Sequence, residues 1–410
     1  MIVQFTVSNY KSIKDELTLD FQASSIKEHS DSLLSFDDED KLLPVTVIYG
    51  PNGGGKSNVL EALNILIEKV RFPIASTLSL NSGNNSDMRF LAPPAIKPYA
   101  FSEESKANPT KFELYFRTEI AEYRYVLQIL KNKISYESFS RIKHKTNRIS
   151  SLFERKGEEI KLGSEFSKFK HLDDISDELP LLSFIGYSYR ANEVVRDYVS
   201  WFLTKFNYSD LGLPLNEMTI MNIINYEPVT KLFKQALQEM DIDIEDIRFS
   251  QQESAIYTKH TINGNSTELS LAEESNGTKK IFVVLPIILY CLITGVTLVI
   301  DELDAKLHPL LLKYIIGLFT NHNINKNNAQ LIFTSCDLST MNNEVFRRDE
   351  IWFAAKGNEQ NTQLYSLIEL KDENGNTVRN DARYDKQYLE VKYGANPYLR
   401  RIIDWESVNE

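Results

Sequence analysis

The chain has 410 residues, 42% hydrophobic and 25% charged, with 16 Gly and 13 Pro, which argues against a collagenous, low-complexity or mainly disordered protein. Acidic residues outnumber basic ones by 57 to 46, a net charge of −11, so wholesale coating of nucleic acid is not expected and only a local basic patch could meet it. Two cysteines make no disulfide framework, and the opening Met1–Phe5 has neither a basic nor an apolar leader pattern, so a cytoplasmic protein is expected.

In chain order, Ile2–Val7 and Leu17–Phe21 read as strands, followed by a polar, acidic loop over 31–41. Pro44–Tyr49 is a buried strand running into a glycine-rich turn, and Ser57 to about Glu68 carries apolar residues at helical spacing. Residues 76–98, rich in Ser, Asn and Pro, predict an exposed loop. Alternating segments between 110 and 170 predict an antiparallel meander, and the pattern turns helical over 187–240, broken near Gly212-Leu213-Pro214. From 265 to 370 helix and strand alternate, and a polar tail follows. The uncharged run Ile281–Ile300 is long enough to span a bilayer. Thr294-Gly295 interrupts it and Asp301-Glu302 ends it, so the expectation is a buried helix, a tight turn and a buried strand, with no membrane partner. No internal repeat and no sustained heptads are present.

Gly50-Pro51-Asn52-Gly53-Gly54-Gly55-Lys56-Ser57 fits G-x-x-x-x-G-K-[ST] between a predicted strand and a predicted helix. Backbone N–H groups of such a loop close around phosphates at the positive end of a helix. In such a loop Lys56 would reach the β- and γ-phosphates and the Ser57 hydroxyl would ligate Mg²⁺. Leu298-Val299-Ile300-Asp301-Glu302 is a buried strand delivering two carboxylates to its C-terminal end. With the loop upstream, Asp301 is expected to hold Mg²⁺ and Glu302 to polarise the attacking water as general base. Glu274 to Lys280 opens the apolar helix with a Ser-x-Gly turn, Ser275 to Gly277, a second anion-binding pattern.

These motifs resemble ABC/SMC-type ATPase heads, specifically the RecF-like and OLD-like branch. Phe5 to Ser12 is similar to that branch's opening strand and turn, Gly50 to Asn58 to its phosphate loop, and Glu274 to Lys279 to its shortened signature motif. Asp301 to Asp304 with Leu307-His308-Pro309 looks like the acidic strand end and the D-loop after it. The resemblance implies an α/β fold: a RecA-like core, an antiparallel β layer and a helical insertion, without a long coiled coil. It divides the chain into an N-terminal lobe (1–170), a mainly helical insertion (171–264), a signature-helix and acidic-strand lobe (265–370) and a tail (371–410). It also implies a homodimer or higher homo-oligomer with composite sites. ATP and Mg²⁺ would lie between Asn52, Gly53, Gly54, Gly55, Lys56, Ser57 and Asn58 of one copy and Ser275 and Gly277 of the other. Two departures stand out. Only about 220 residues separate Lys56 from Ser275, too few for the long arm of SMC proteins, and the usual switch histidine is replaced by Cys336. A thiol senses a γ-phosphate less well than imidazole, so slow turnover is expected unless His308 or another group compensates. An ordinary buried cysteine is expected at 336 rather than a reactive thiol.

Within the branch, Arg347 to Phe353, Tyr388-Leu389 and Lys392 to Pro397 resemble the stand-alone ATPases of bacterial anti-phage defence operons, of the RloA/AbiLi and AriA type. That implies a sensor or restraint acting on a separate effector, often a TOPRIM-like nuclease. Read as plain structure, the same segments are an exposed basic turn and a tail tucked against the core. Rival functions are a RecF-like DNA-repair clamp and a nucleotide-gated scaffold. DNA contact, if any, is expected over residues 124–171, with twelve Lys or Arg against five acids and Tyr136 and Phe139 for stacking; a solvated sheet face is the plainer reading.

Overall fold

The structure is a computed structural model describing residues 1–35, 41–82, 95–143, 148–172, 175–210, 217–239, 244–250, 255–357, 359–371 and 375–395. Five strands run parallel in the order Phe206–Asp210, Thr297–Asp301, Gln330–Ser335, Val45–Tyr49 and Ile351–Lys356, and Thr362–Ser366 closes the sheet antiparallel. Its central strands are continuous apolar runs because both faces are covered. Val47, Leu298, Ile300, Leu331 and Phe333 face one core, while Ile48, Val299 and Ile332 face the other.

The first core lies under a seven-stranded antiparallel sheet in the order Glu159–Leu162, Arg148–Lys156, Lys133–Lys143, Glu122–Leu130, Thr110–Arg117, Ile2–Ser8 and Leu17–Asp20. This is the antiparallel layer the resemblance implies, its opening strand paired directly to the meander (Phe5 opposite Leu114). Stacked aromatics fill it: Trp201 lies 4.2 Å and Tyr123 5.2 Å from Phe116, ring to ring. Such pairs add about 0.5–1.5 kcal/mol each beyond area burial. The second core holds the helix Asn276–Thr294, with Phe282, Ile288 and Cys291 buried. Gly295 caps this helix in the left-handed conformation at φ +65°, and the strand Thr297–Asp301 follows. The helix is long and apolar enough to cross a membrane, but half of its apolar window is buried in the core, as the break at Gly295 predicted.

Three expectations need correction. The phosphate-loop helix does not stop near Glu68; it runs over Lys56–Ser82, through Pro73. Ile67, Val70 and Ile74 keep its inner face buried, and that packing outweighs the lost hydrogen bond at proline. Residues 76–82 therefore belong to this helix, while 83–94 lie outside the described residues, as do Gly212-Leu213-Pro214 and Asp37 to Asp40. The segment expected to be mainly helical does hold helices, including Leu181–Ser188, Glu193–Thr204 and Glu227–Glu239. It also supplies the edge strand Phe206–Asp210 of the parallel sheet and, up to Ser270, a three-stranded sheet. Arg347 is not in an exposed basic turn. It is fully buried, pairs with Asp349 at 2.7 Å and donates to the carbonyls of Ser24 and Glu28. The tail is tucked in as far as Ala395: Tyr388 donates to the Ala395 carbonyl at 2.8 Å and Tyr393 lies 5.2 Å from Phe353.

Candidate nucleotide site

Parallel strands bring their C-terminal ends to one edge, and the predicted chemistry collects there. Gly50 follows Tyr49, Glu302 follows Asp301, and Cys336 follows Ser335 on the strand between them. A cavity of about 400 Å³ is lined by Asn52, Gly53, Gly54, Gly55, Lys56, Ser57 and Asn58 of the loop and by Glu302. Ser12 and Lys356 complete it with the flank of the loop.

The loop is held by its own chain. Lys56 is 6% exposed and its ammonium donates to the carbonyls of Gly50 at 2.8 Å and Pro51 at 3.2 Å. Gly55 is irreplaceable on two grounds: its φ is +103°, and a Cβ there would meet Thr362 Oγ1 at 2.0 Å. Thr362 Oγ1 also hydrogen-bonds the Gly54 carbonyl at 3.2 Å and shares a 2.7 Å hydrogen bond with Ser12 Oγ. Asn58 Nδ2 donates to the same Ser12 oxygen at 2.6 Å. The expected role of Asn58 thus comes with a structural one, anchoring the loop helix to the opening turn. Neither Thr362 nor Lys356 carries a motif by which the sequence could reveal it, since both come from the two strands next to the loop strand in sheet order but far from it in sequence.

The acidic strand end is equally defined. Thr334 Oγ1 donates to Asp301 Oδ1 at 2.5 Å and accepts from the Glu302 N–H at 2.8 Å. Glu302 is exposed to the cavity with φ +52°. Asp304 Oδ2 accepts the N–H groups of Cys336 and Asp337, each at 3.0 Å. Cys336 is exposed, and the buried free cysteine is Cys291. The expectation of a buried thiol fails at 336 because the buried strand ends at Ser335. The Cys336 thiol points to Asn52 Oδ1 at 3.7 Å, so the switch turn touches the phosphate loop. His308 Nδ1 accepts the Leu310 N–H at 3.2 Å as N-cap of the helix Pro309–Thr320.

The cavity's donor set fits a Mg-nucleotide: a glycine cradle at a helix N-terminus, a buried ammonium and the hard oxygen of Ser57, whereas Asp301 does not line the cavity and stands one residue before Glu302, which does. Ser275 and Gly277 are not in this cavity. Ser275 is exposed and caps its own helix, accepting the Thr278 N–H at 3.1 Å. Just before it, Glu274 accepts from Thr258 at 2.5 Å and pairs with His260 at 2.7 Å, which fixes the turn to the three-stranded sheet.

The proposed DNA patch lies on the seven-stranded sheet, and much of its charge is paired. Among the described residues, Arg124 pairs with Glu113, Lys133 with Asp177, Arg141 with Glu165, Lys156 with Glu154 and Lys161 with Glu159, at 2.6–3.1 Å. Phe139 is buried in the aromatic core and is not free to stack on a base. His144 and Lys145 lie outside the described residues.

Residues 45–342 match the family described as "AAA domain, putative AbiEii toxin, Type IV TA system". No curated protein matches the chain. Similar solved structures include an SMC head bound to the C-winged helix domain of ScpA, at 14% identity and TM-score 0.42, covering 89% of this chain and 97% of that one. The SMC head domain from Thermotoga maritima is similar at 15% identity and TM-score 0.40, covering 89% and 98%. An SMC head with an extended coiled coil, bound to the C-terminal domain of ScpA from Pyrococcus furiosus, is similar at 12% and 0.41, covering 89% and 96%.

Proposed function

The chain belongs to this AAA-domain family, and on that premise we propose that it is a Mg-dependent ATPase whose sites are completed by a second copy of itself. In this reading it is cytoplasmic and acts as sensor or restraint of a separate effector in bacterial anti-phage defence, with a TOPRIM-like nuclease as the effector class. The observation that carries the ATPase reading is the shared cavity of Lys56, Ser57 and Glu302.

A Mg²⁺ held near Ser57 and Asp301 would supply neutralisation of phosphate charge. The chain supplies the rest. The loop N–H groups and Lys56 orient the phosphates, with Lys56 exchanging its bonds to Gly50 and Pro51 for phosphate oxygens. Ser57 and Asp301 would be the metal's oxygen donors, Asp301 being oriented by the hydrogen bond from Thr334. Glu302 accepts a proton from water at the cavity wall. Ser275, exposed, and Gly277, half-buried in the first turn of the same helix, supply the second half of a partner's site.

The test is the size of the Glu302→Gln variant in Mg-ATP by sedimentation. Glu302→Gln should bind nucleotide, hydrolyse it at least about a hundredfold more slowly and accumulate as a closed dimer. Lys56→Ala should stay at the nucleotide-free mass. A Glu302→Gln monomer at saturating Mg-ATP would sink the composite-site reading. The defence role has its own test: the gene with its operon neighbour should protect a host from phage, and Lys56→Ala should abolish that protection.

A further inference from the structure

One side chain joins the signature turn to the acidic strand end of the same chain. Lys280 lies five residues past Ser275, on the helix that Ser275 caps. Its ammonium donates to the main-chain carbonyls of Glu302, at 3.1 Å, and Ala305. Glu302 sits in the left-handed region, which a glutamate occupies only when its surroundings hold it there. It is held on both sides, its N–H by Thr334 and its C=O by Lys280. Two residues on, Asp304 ties the same turn to the N–H groups of Cys336 and Asp337. The turn 302–305 is therefore clamped between the signature helix and the switch turn.

We propose that Lys280 is a positioning residue for Glu302 and couples the two composite sites. Engagement of Ser275 by one nucleotide shifts the helix carrying Lys280, and Lys280 re-aims the Glu302 that serves the other nucleotide. The coupling rests on the ATPase reading above; the clamp itself does not. Charged groups around the ammonium are Asp304 and Glu302, which favour its charge, and Lys306, which opposes it; burial dominates and lowers its pKa to about 8. The ammonium is thus complete below that pH and lost as pH rises through it.

The experiment compares wild type, Lys280→Met and Lys280→Arg, with Lys56→Ala as the blank. Lys280→Met should lower kcat by about tenfold or more, leave ATP affinity within about threefold, and bring a Hill coefficient above one down to one. Lys280→Arg should recover most of kcat. Wild-type kcat should fall as pH rises through about 8, a fall missing in Lys280→Arg. Independently of turnover, amide exchange over residues 302–307 of the nucleotide-free protein should speed up by about tenfold in Lys280→Met. Wild-type kcat and Hill coefficient in Lys280→Met would overturn the coupling, and unchanged exchange would overturn the clamp. Wild-type turnover at the blank level would instead bring down the ATPase reading, while the exchange measurement would still decide the clamp.

Discussion

Lys56 and Ser275 both stand at the start of a long helix, yet their surroundings differ. Around Lys56 the chain satisfies itself: the ammonium is buried on two loop carbonyls, and Gly54 and Gly55 are pressed against Ala354 and Thr362. Around Ser275 it leaves space: the hydroxyl caps its own helix and shares a 2.8 Å hydrogen bond with Thr278 Oγ1, and a Cβ on Gly277 would find its nearest neighbours at 3.8 and 3.9 Å. In the proposed reading the first region is a half-site complete within its own chain, and the second, where Gly277 meets no close neighbour, is the half that a partner would complete.

Mixing defects separates the two halves most sharply. Lys56→Ala should abolish turnover, and Ser275→Arg should lower it by about a hundredfold or more while leaving ATP affinity nearly intact. Combined in equal amounts, the two inactive variants should regain up to about a quarter of wild-type activity, because half of the dimers carry one intact composite site. No recovery above the sum of the separate variants would break the comparison, since each chain would then need its own Ser275.

A smaller effect is expected at the contact between switch turn and loop. Cys336 is exposed, and its main chain is fixed by Asp304 with the thiol directed at Asn52. Cys336→His places an imidazole on this exposed turn and should raise kcat on the order of tenfold, with ATP affinity unchanged. A kcat that stays level would show that the cysteine is not what sets the rate.

What the sequence revealed follows the same contrast. Gly50 to Ser57 is eight consecutive residues whose chemistry is local, and Leu298 to Glu302 announces a buried strand ending in acids, so both could be read without a fold. Ser12 and Thr362 could not be read as a pair, because their hydrogen bond joins residues 350 positions apart. Lys280 was legible only as one charge in a basic pair; its role depends on the distance to two carbonyls. Composition also misled at Arg347, where charge suggested exposure but five groups of the chain's own, the carbonyls of Ser24, Ile26 and Glu28 and both Asp349 oxygens, take up the guanidinium. The helix beyond Glu68 was hidden by Pro73 and by polar residues whose hydroxyls fold back onto its carbonyls, as Ser76 and Thr77 do.

The smallest expected effect tests the open half directly. Gly277 lies in the first turn of the helix Asn276–Thr294, with no left-handed φ and no neighbour that a methyl group would strike. Alanine is better than glycine at helical positions by up to about 1 kcal/mol, and less in a first turn. Judged by its own chain, Gly277→Ala should therefore be stabilising by a few tenths to about 1 kcal/mol, a rise in Tm of about 1–2 °C. Glycine at such a place is explained if a body outside the chain must come closer than a methyl group permits. Turnover of Gly277→Ala should accordingly fall several-fold even as the isolated chain becomes more stable, and the assembly of Glu302→Gln in Mg-ATP should weaken when the substitution is added. Loss of stability and activity together would place the reason for the glycine inside the chain and remove the distinction between the halves. Gained stability with undiminished turnover would show that no partner approaches at Gly277, and the composite site would have to be rebuilt around Ser275 alone.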